Sequence, residues 1–197
     1  MLPARGRLGL LVALGLWPLG RGPASAAEVR ERILGDPAAP VTIIEYASLT
    51  CPHCAAFHRE TLPLLKERYI DTGKARLVFR DFPLDRAALA AAALAHCAGD
   101  ARYFKFLDAM FANQQSWARA SDPVAALRQL TRLGGLSDAE AEACLADQSL
   151  QDAILQTRLD GEREFGVNST PTILVNGEKA PDSSIEAIAA LIDPLVN

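Results

Sequence analysis

The chain has 197 residues, 50% of them apolar, and a formal net charge of −4. An acidic chain of this kind is a poor candidate for binding nucleic acid or an anionic membrane. It is also too long to need disulfides in place of a core, so its four cysteines ask for another explanation.

Residues 1–26 read as a secretory signal. Arg5 and Arg7 form a positive start, an apolar stretch of 12 residues runs over 8–19, and Ala24-Ser25-Ala26 offers a small-residue cleavage site. The alternative is an uncleaved anchor, but the apolar stretch is too short to span a bilayer as a helix. No cysteine sits at the cleavage point to carry lipid, and the two arginines are not adjacent as a twin-arginine signal requires. Cleavage removes three arginines and no acid, leaving 171 residues with a net charge of −7. That length suits one domain with a sizeable core.

Residues 27–40 read as an N-terminal lead-in. They end in Gly35-Asp36-Pro37-Ala38-Ala39-Pro40, where two prolines and a glycine argue against regular structure. Val41-Thr42-Ile43-Ile44-Glu45-Tyr46 is a short β-branched run, expected to be a buried strand. Thr50 is placed to cap a helix beginning at Cys51, and Pro52 is tolerated in its first turn. Pro63 predicts a kink or restart, because proline lacks the N–H and crowds the preceding turn. The helix should end near Asp71-Thr72-Gly73. Residues 75–82 read as a second strand, stopped by Pro83.

From 85 to 165 the pattern is helical, rich in alanine and leucine, and its punctuation suggests four or five helices. Ser137-Asp138-Ala139-Glu140 is a capping-box signature. Strand character returns at Thr172-Ile173-Leu174-Val175. Asn176-Gly177 follows as a hairpin signal, and Asp182 is placed to cap a last helix over 183–192. Strands at both ends with helices between describe an α/β domain carrying a helical insertion.

The chemistry is concentrated in Cys51-Pro52-His53-Cys54. A C-x-x-C beside a strand–helix pattern reads as a redox dithiol. The first sulfur falls at a helix N-terminus, where free N–H groups and the helix dipole stabilise the thiolate that attacks or leaves in exchange. Zinc would need two more ligands at matching spacing, and Cys97 and Cys144 form no second C-x-x-C. Haem attachment would need histidine at 55, where alanine stands. Cys51 is the expected exposed nucleophile, with Cys54 a turn deeper as the resolving thiol. His53 either is a solvated bystander or adds positive potential beside the Cys51 sulfur. His58 and His96 read as surface or helix-face residues.

Glu45 is an acid inside an apolar strand. It either faces solvent or, if buried, relays a proton to Cys54. Cys97 and Cys144 are either buried free thiols or, in an oxidising compartment, a structural disulfide closing a loop worth about 4 kcal/mol. Trp117, Tyr103, Phe104, Phe106 and Phe111 read as core of the helical block rather than a ligand box.

These pieces together resemble the DsbA-like branch of the thioredoxin superfamily. The strand 41–46, Cys51-Pro52-His53-Cys54, the helical block and Ser169-Thr170-Pro171-Thr172 carry the resemblance, which covers the chain from about residue 35 onward. It implies a thioredoxin-like domain of residues 41–84 and 166–197, with a helical insertion at 85–165 between the second strand and the cis-proline strand. It implies that Cys51 is attacked and attacks, that Cys54 is its buried partner, and that Glu45 is the acid beneath the dithiol. Pro171 matches the family's cis-proline, whose loop binds substrate backbone, and Thr170 would neighbour the sulfurs. Pro52, His53 and Thr170 would then tune the redox balance.

The chain departs from the best-known oxidases in carrying threonine rather than valine at 170. Threonine there also occurs in isomerase-type relatives. Three readings stay open: a periplasmic oxidase of reduced or unfolded secreted proteins, a reductase or isomerase using the same pair, and a dithiol metal-binding module. The first implies a monomer with no cofactor and no bound metal, reoxidised by a quinone-linked membrane partner.

Overall fold

The computed structural model describes residues 29–196; the secretory signal expected at 1–26 lies outside them. A five-stranded sheet forms the centre, in the order β1-β3-β2-β4-β5. Its strands are β1 (Arg32–Leu34), β2 (Val41–Ala47), β3 (Ala75–Asp81), β4 (Thr172–Val175) and β5 (Glu178–Lys179). β2 and β3 run parallel, while β1 against β3, β4 against β2 and β5 against β4 are antiparallel. The parallel pair needs a helical crossover between its strands, and residues 52–70 supply it.

That crossover begins as α1 (Pro52–Ala56), passes through a π-helical turn (Phe57–Thr61), resumes as α2 (Leu62–Leu65) and closes in a second π turn (Lys66–Ile70). The α-helical restart at Leu62 falls beside Pro63, as its missing N–H demands. Alternation along β2 turns Val41, Ile43 and Glu45 to one side and Thr42, Ile44 and Tyr46 to the other. On the first side, Val41 and Ile43 join Phe57, Leu65, Ile70, Leu77 and Ile173 in one buried cluster with Ile188 and Ile192 of α9 (Ile185–Val196). Each such aliphatic side chain contributes about 1.5–3 kcal/mol on burial.

Six helices lie between β3 and β4: α3 (Arg86–Cys97), α4 (Tyr103–Ala112), α5 (Gln114–Ala118), α6 (Pro123–Leu133), α7 (Asp138–Ala146) and α8 (Gln148–Phe165). Ala91, Leu94, Leu107, Met110, Trp117 and Leu127 are buried in a second cluster that also includes Cys51 and Cys54, so this helical block closes directly over the dithiol. Tyr103, Phe106 and Phe111 are buried with them and Phe104 packs against them, as core. α8 covers the other side of the sheet. A Cβ at Gly161 would stand 2.5 Å from the Tyr46 ring, so only glycine permits that approach. Cys97 and Cys144 are joined by a disulfide that ties α3 to α7.

Several local expectations need correction. The lead-in is not wholly irregular, because Arg32–Leu34 pairs with β3 as an edge strand. Thr50 does not cap the first helix; its hydroxyl donates to Asp85, and Cys51 occupies the N-cap position without a side-chain bond. The helical block has six helices rather than four or five. α9 begins at Ile185, two residues later than expected, because Asp182 accepts the Ser184 N–H and Ser184 itself accepts from Ala187. The Ser137–Glu140 capping box is present, and Asn176-Gly177 makes the β4–β5 turn with both residues at positive φ. Among the described residues no helix is long and apolar enough to cross a membrane.

Candidate active site

Cys51 ends the loop after β2 and starts α1, with extended backbone at φ −77° and ψ 120°. Its N–H donates to the Ser48 carbonyl at 3.0 Å. Gln114, buried on α5, donates through Nε2 to the carbonyls of Leu49 (2.8 Å) and Cys51 (2.9 Å). The nucleophile's loop is therefore clamped by a residue 63 positions away in sequence. The sequence gives no local signal for this clamp, because a glutamine in a helix's first turn is unremarkable without its partners.

The Thr170–Pro171 peptide is cis, and the Cys51 thiol donates to the Thr170 carbonyl at 3.3 Å. That loop covers the sulfur. Cys51 is only 6% exposed, which corrects the expectation of an exposed nucleophile, while Cys54 is wholly buried. Pro52 and His53 are exposed at the mouth.

The two sulfurs are driven apart in acidity. A hydrogen bond from the Cys54 thiol is the main influence holding Cys51 down, to about 5. Burial opposes it, and the Thr170 side chain and the N–H groups of Cys54 and His53 assist it. The Thr170 hydroxyl has no partner beside the neutral thiol, so it is free to donate once the sulfur ionises. Cys54 is pushed well above the usual thiol range, chiefly by burial, then by its bond to Cys51 and the nearby charge of Glu45. One thiolate and one thiol at neutral pH are what directional exchange needs: an activated sulfur at the mouth and a protonated one beneath.

Glu45 is completely buried, and its partner is His58, whose Nε2 lies 3.0 and 3.2 Å from the two carboxylate oxygens. His58 is not a surface residue; its side chain is 4% exposed. Its position four residues after Cys54 puts it on the same helix face, a spacing that could have flagged it. His96 is likewise buried, 2.7 Å from Asp81. Beside the dithiol a groove of about 450 Å³ is lined by Thr50, Pro52, Asp85, Arg86, Gln114 and Ala118 among others. A larger cleft, about 740 Å³, lies elsewhere, between β3 and α8, and is lined by Arg30, Arg80, Gln156 and Asp160 among others. Among the described residues no group of three or more His, Cys, Asp or Glu side chains is arranged to hold a metal ion.

A sheet crossed over by a helix that opens on C-x-x-C, with a cis-proline loop facing it, defines a thioredoxin-fold dithiol protein. A family model described as thioredoxin matches residues 27–194. Wolbachia pipientis alpha-DsbA1 superposes with a TM-score of 0.77 at 35% identity, over 84% of this chain and 90% of that one. A Rickettsia bellii protein named as a candidate protein-disulfide oxidoreductase is 32% identical over 167 residues, covering 84% of this chain. This chain spans 64% of that relative's length. Chlamydia trachomatis DsbA shares the fold, with a TM-score of 0.74 at 21% identity. The chain belongs to the DsbA-like branch of the thioredoxin superfamily.

Proposed function

We propose that this protein is a thiol:disulfide oxidase that donates the Cys51–Cys54 disulfide to reduced secreted proteins in the periplasm. The observation that carries the reading is the split between the sulfurs: Cys51 held down at about 5 above a Cys54 that stays protonated. A stabilised Cys51 thiolate favours the reduced form, which makes the disulfide form a strong oxidant. The expected secretory signal at 1–26 supports the compartment.

In this reading a substrate thiolate attacks the Cys51 sulfur and displaces Cys54. A second substrate thiolate then attacks the substrate sulfur of the mixed disulfide, and Cys51 leaves as a thiolate. Pro171 and Thr170 present backbone to the incoming peptide, and the groove beside Pro52 receives its flanking residues. Pro52, His53 and Thr170 tune the couple: the His53 N–H faces the sulfur, and its exposed imidazole adds positive potential when protonated. Glu45 relays the Cys54 proton.

Residues 41–84 and 166–197 act as the thioredoxin-like domain, and 85–165 as an insertion that closes over the dithiol. The protein works as a monomer without a cofactor, and a quinone-linked membrane thiol oxidase restores its disulfide. The test is oxidation of a reduced two-cysteine peptide: Cys51→Ser abolishes it, and a Cys51→Ser protein working at the wild-type rate would sink the proposal.

A further inference from the structure

His58 and Glu45 form a buried ion pair where apolar residues would pack well. The imidazole lies against Phe111, with ring centroids 4.1 Å apart, and meets Phe57 and Phe79 edge-on at 5.8 and 6.0 Å. Stability alone does not call for charges in such a place, since a well-packed apolar pair is as good or better. Nor does the pair complete its own hydrogen bonding. Nε2 meets Glu45, but Nδ1 is buried with no hydrogen-bond partner.

That free nitrogen lies 3.9 Å from Asp108 of α4, whose side chain is 68% exposed. The titratable groups around the ring are Glu45 from β2, Asp108 from α4 and Cys54 from its own helix, while β3 offers the Phe79 ring. Tyr103 stands behind Phe79, with its centroid 6.2 Å away and its hydroxyl unpartnered, and Asp81 is taken by His96. A line of groups thus runs from the buried Cys54 through Glu45 and His58 to Asp108 at the surface.

We propose that His58 is the proton-transfer partner of Glu45, carrying the proton that Cys54 gains and loses between the buried dithiol and water at Asp108. This rests on the exchange reading of Cys51–Cys54. When a substrate thiolate attacks Cys51, its electron pair forms the new S–S bond and the Cys51–Cys54 bond breaks with its pair on Cys54. The Cys54 sulfur takes a proton from the pair, which passes from imidazolium–carboxylate to imidazole–carboxylate. Water at the Asp108 edge returns that proton. Release of the oxidised substrate completes a two-electron reduction of the protein against a two-electron oxidation of the substrate. Reoxidation runs the same atoms in reverse.

The protonation balance permits the transfer. Burial pulls the His58 imidazolium down, but Glu45 and Asp108 outweigh it and hold it at about 9, while Cys54 lies far higher. The ring is charged at neutral pH, and its proton moves downhill to a Cys54 thiolate.

The test is single-turnover oxidation of a reduced two-cysteine peptide by fully oxidised protein, from about pH 6 to about pH 10. The proteins are wild type, His58→Gln, Glu45→Gln, the double variant and Asp108→Asn. Glutamine at 58 keeps an N–H for Glu45 but cannot carry a proton, so it rescues a merely structural role. His58→Gln is expected to be slower by about tenfold or more at neutral pH, within the range of acid–base assistance. The wild-type-to-variant ratio should collapse towards one above about pH 9, where the wild-type ring is itself neutral. Adding Glu45→Gln should slow His58→Gln little further. A His58→Gln rate equal to wild type throughout, or a double variant whose loss is the product of the singles, overturns the proposal. If His58→Gln does not fold, Asp108→Asn carries the test from the surface: slower exchange with an altered pH profile supports the route, and an unchanged profile overturns it. Loss of exchange in Cys51→Ser beside an unaffected His58→Gln removes this inference alone; activity in Cys51→Ser removes the exchange reading itself.

Discussion

Replacing Cys54 with alanine isolates the interaction that sets the acidity of Cys51. The leading influence on Cys51 is the hydrogen bond from the Cys54 thiol, and the first-turn N–H groups and Thr170 add to it. A hydrogen bond to a charged group is worth about 1.5–3 kcal/mol. At about 1.4 kcal/mol per pKa unit, its loss moves Cys51 up by roughly 1–2 units. Cys54→Ala should therefore titrate near pH 6–7 rather than about 5, still below an ordinary thiol at about 8.5, because the helix donors remain. Cys54→Ser retains an O–H donor and should stay closer to wild type. Thiolate ultraviolet absorbance against pH reads the midpoint directly. A Cys54→Ala protein titrating at the wild-type midpoint would refute the assignment and move the whole effect to the helix terminus and the facing loop.

The same acidity couples to stability. Cys51 is depressed in the folded state, so its contribution to the reduced protein is complete above its unfolded value of about 8.5 and fades as pH falls through about 5. The unfolding free energy of the reduced protein relative to the oxidised one should rise by about 2 kcal/mol from pH 5 to pH 7 in urea titrations; a flat or falling difference contradicts this. Replacing both Cys97 and Cys144 with alanine should cost about 4 kcal/mol through the 47-residue separation they span, yet leave peptide oxidation intact; an unchanged urea midpoint refutes it. Gln114→Ala strands the Leu49 carbonyl, while that of Cys51 keeps the Ala55 N–H, and should cost about 1–3 kcal/mol, with slower exchange from a looser Cys51 loop. Wild-type melting and wild-type turnover together would show that the clamp is dispensable.

The parts legible in the sequence are those whose physics is local. Cys51-Pro52-His53-Cys54 announces a dithiol at a helix start because two intervening residues fit one turn. Asn176-Gly177 marks a turn because both residues accept positive φ, and Ser137 with Glu140 caps α7 within four residues. The parts that stayed hidden depend on distant partners. Nothing near Glu45 says that its carboxylate meets His58, because the strand and helix faces must first be packed together. His96 carries no sign of Asp81 for the same reason. Arg32–Leu34 is three residues long, too short to show alternation, and is a strand only because β3 offers it an edge. Cys51 is sheltered by Thr170, 119 residues later, so its burial could not be read from its own neighbourhood. The resemblance bridged part of that gap by pointing to Pro171, whose peptide is cis in the structure.

The reduction potential of Cys51–Cys54, measured by equilibration with a glutathione buffer, bears most directly on the central claim. A thiolate held at about 5 over a protonated Cys54 predicts an oxidising couple, less negative than about −180 mV and towards the value of about −120 mV that DsbA shows. A potential near about −270 mV, the range of thioredoxin, would contradict the oxidase and make the same dithiol a reductant.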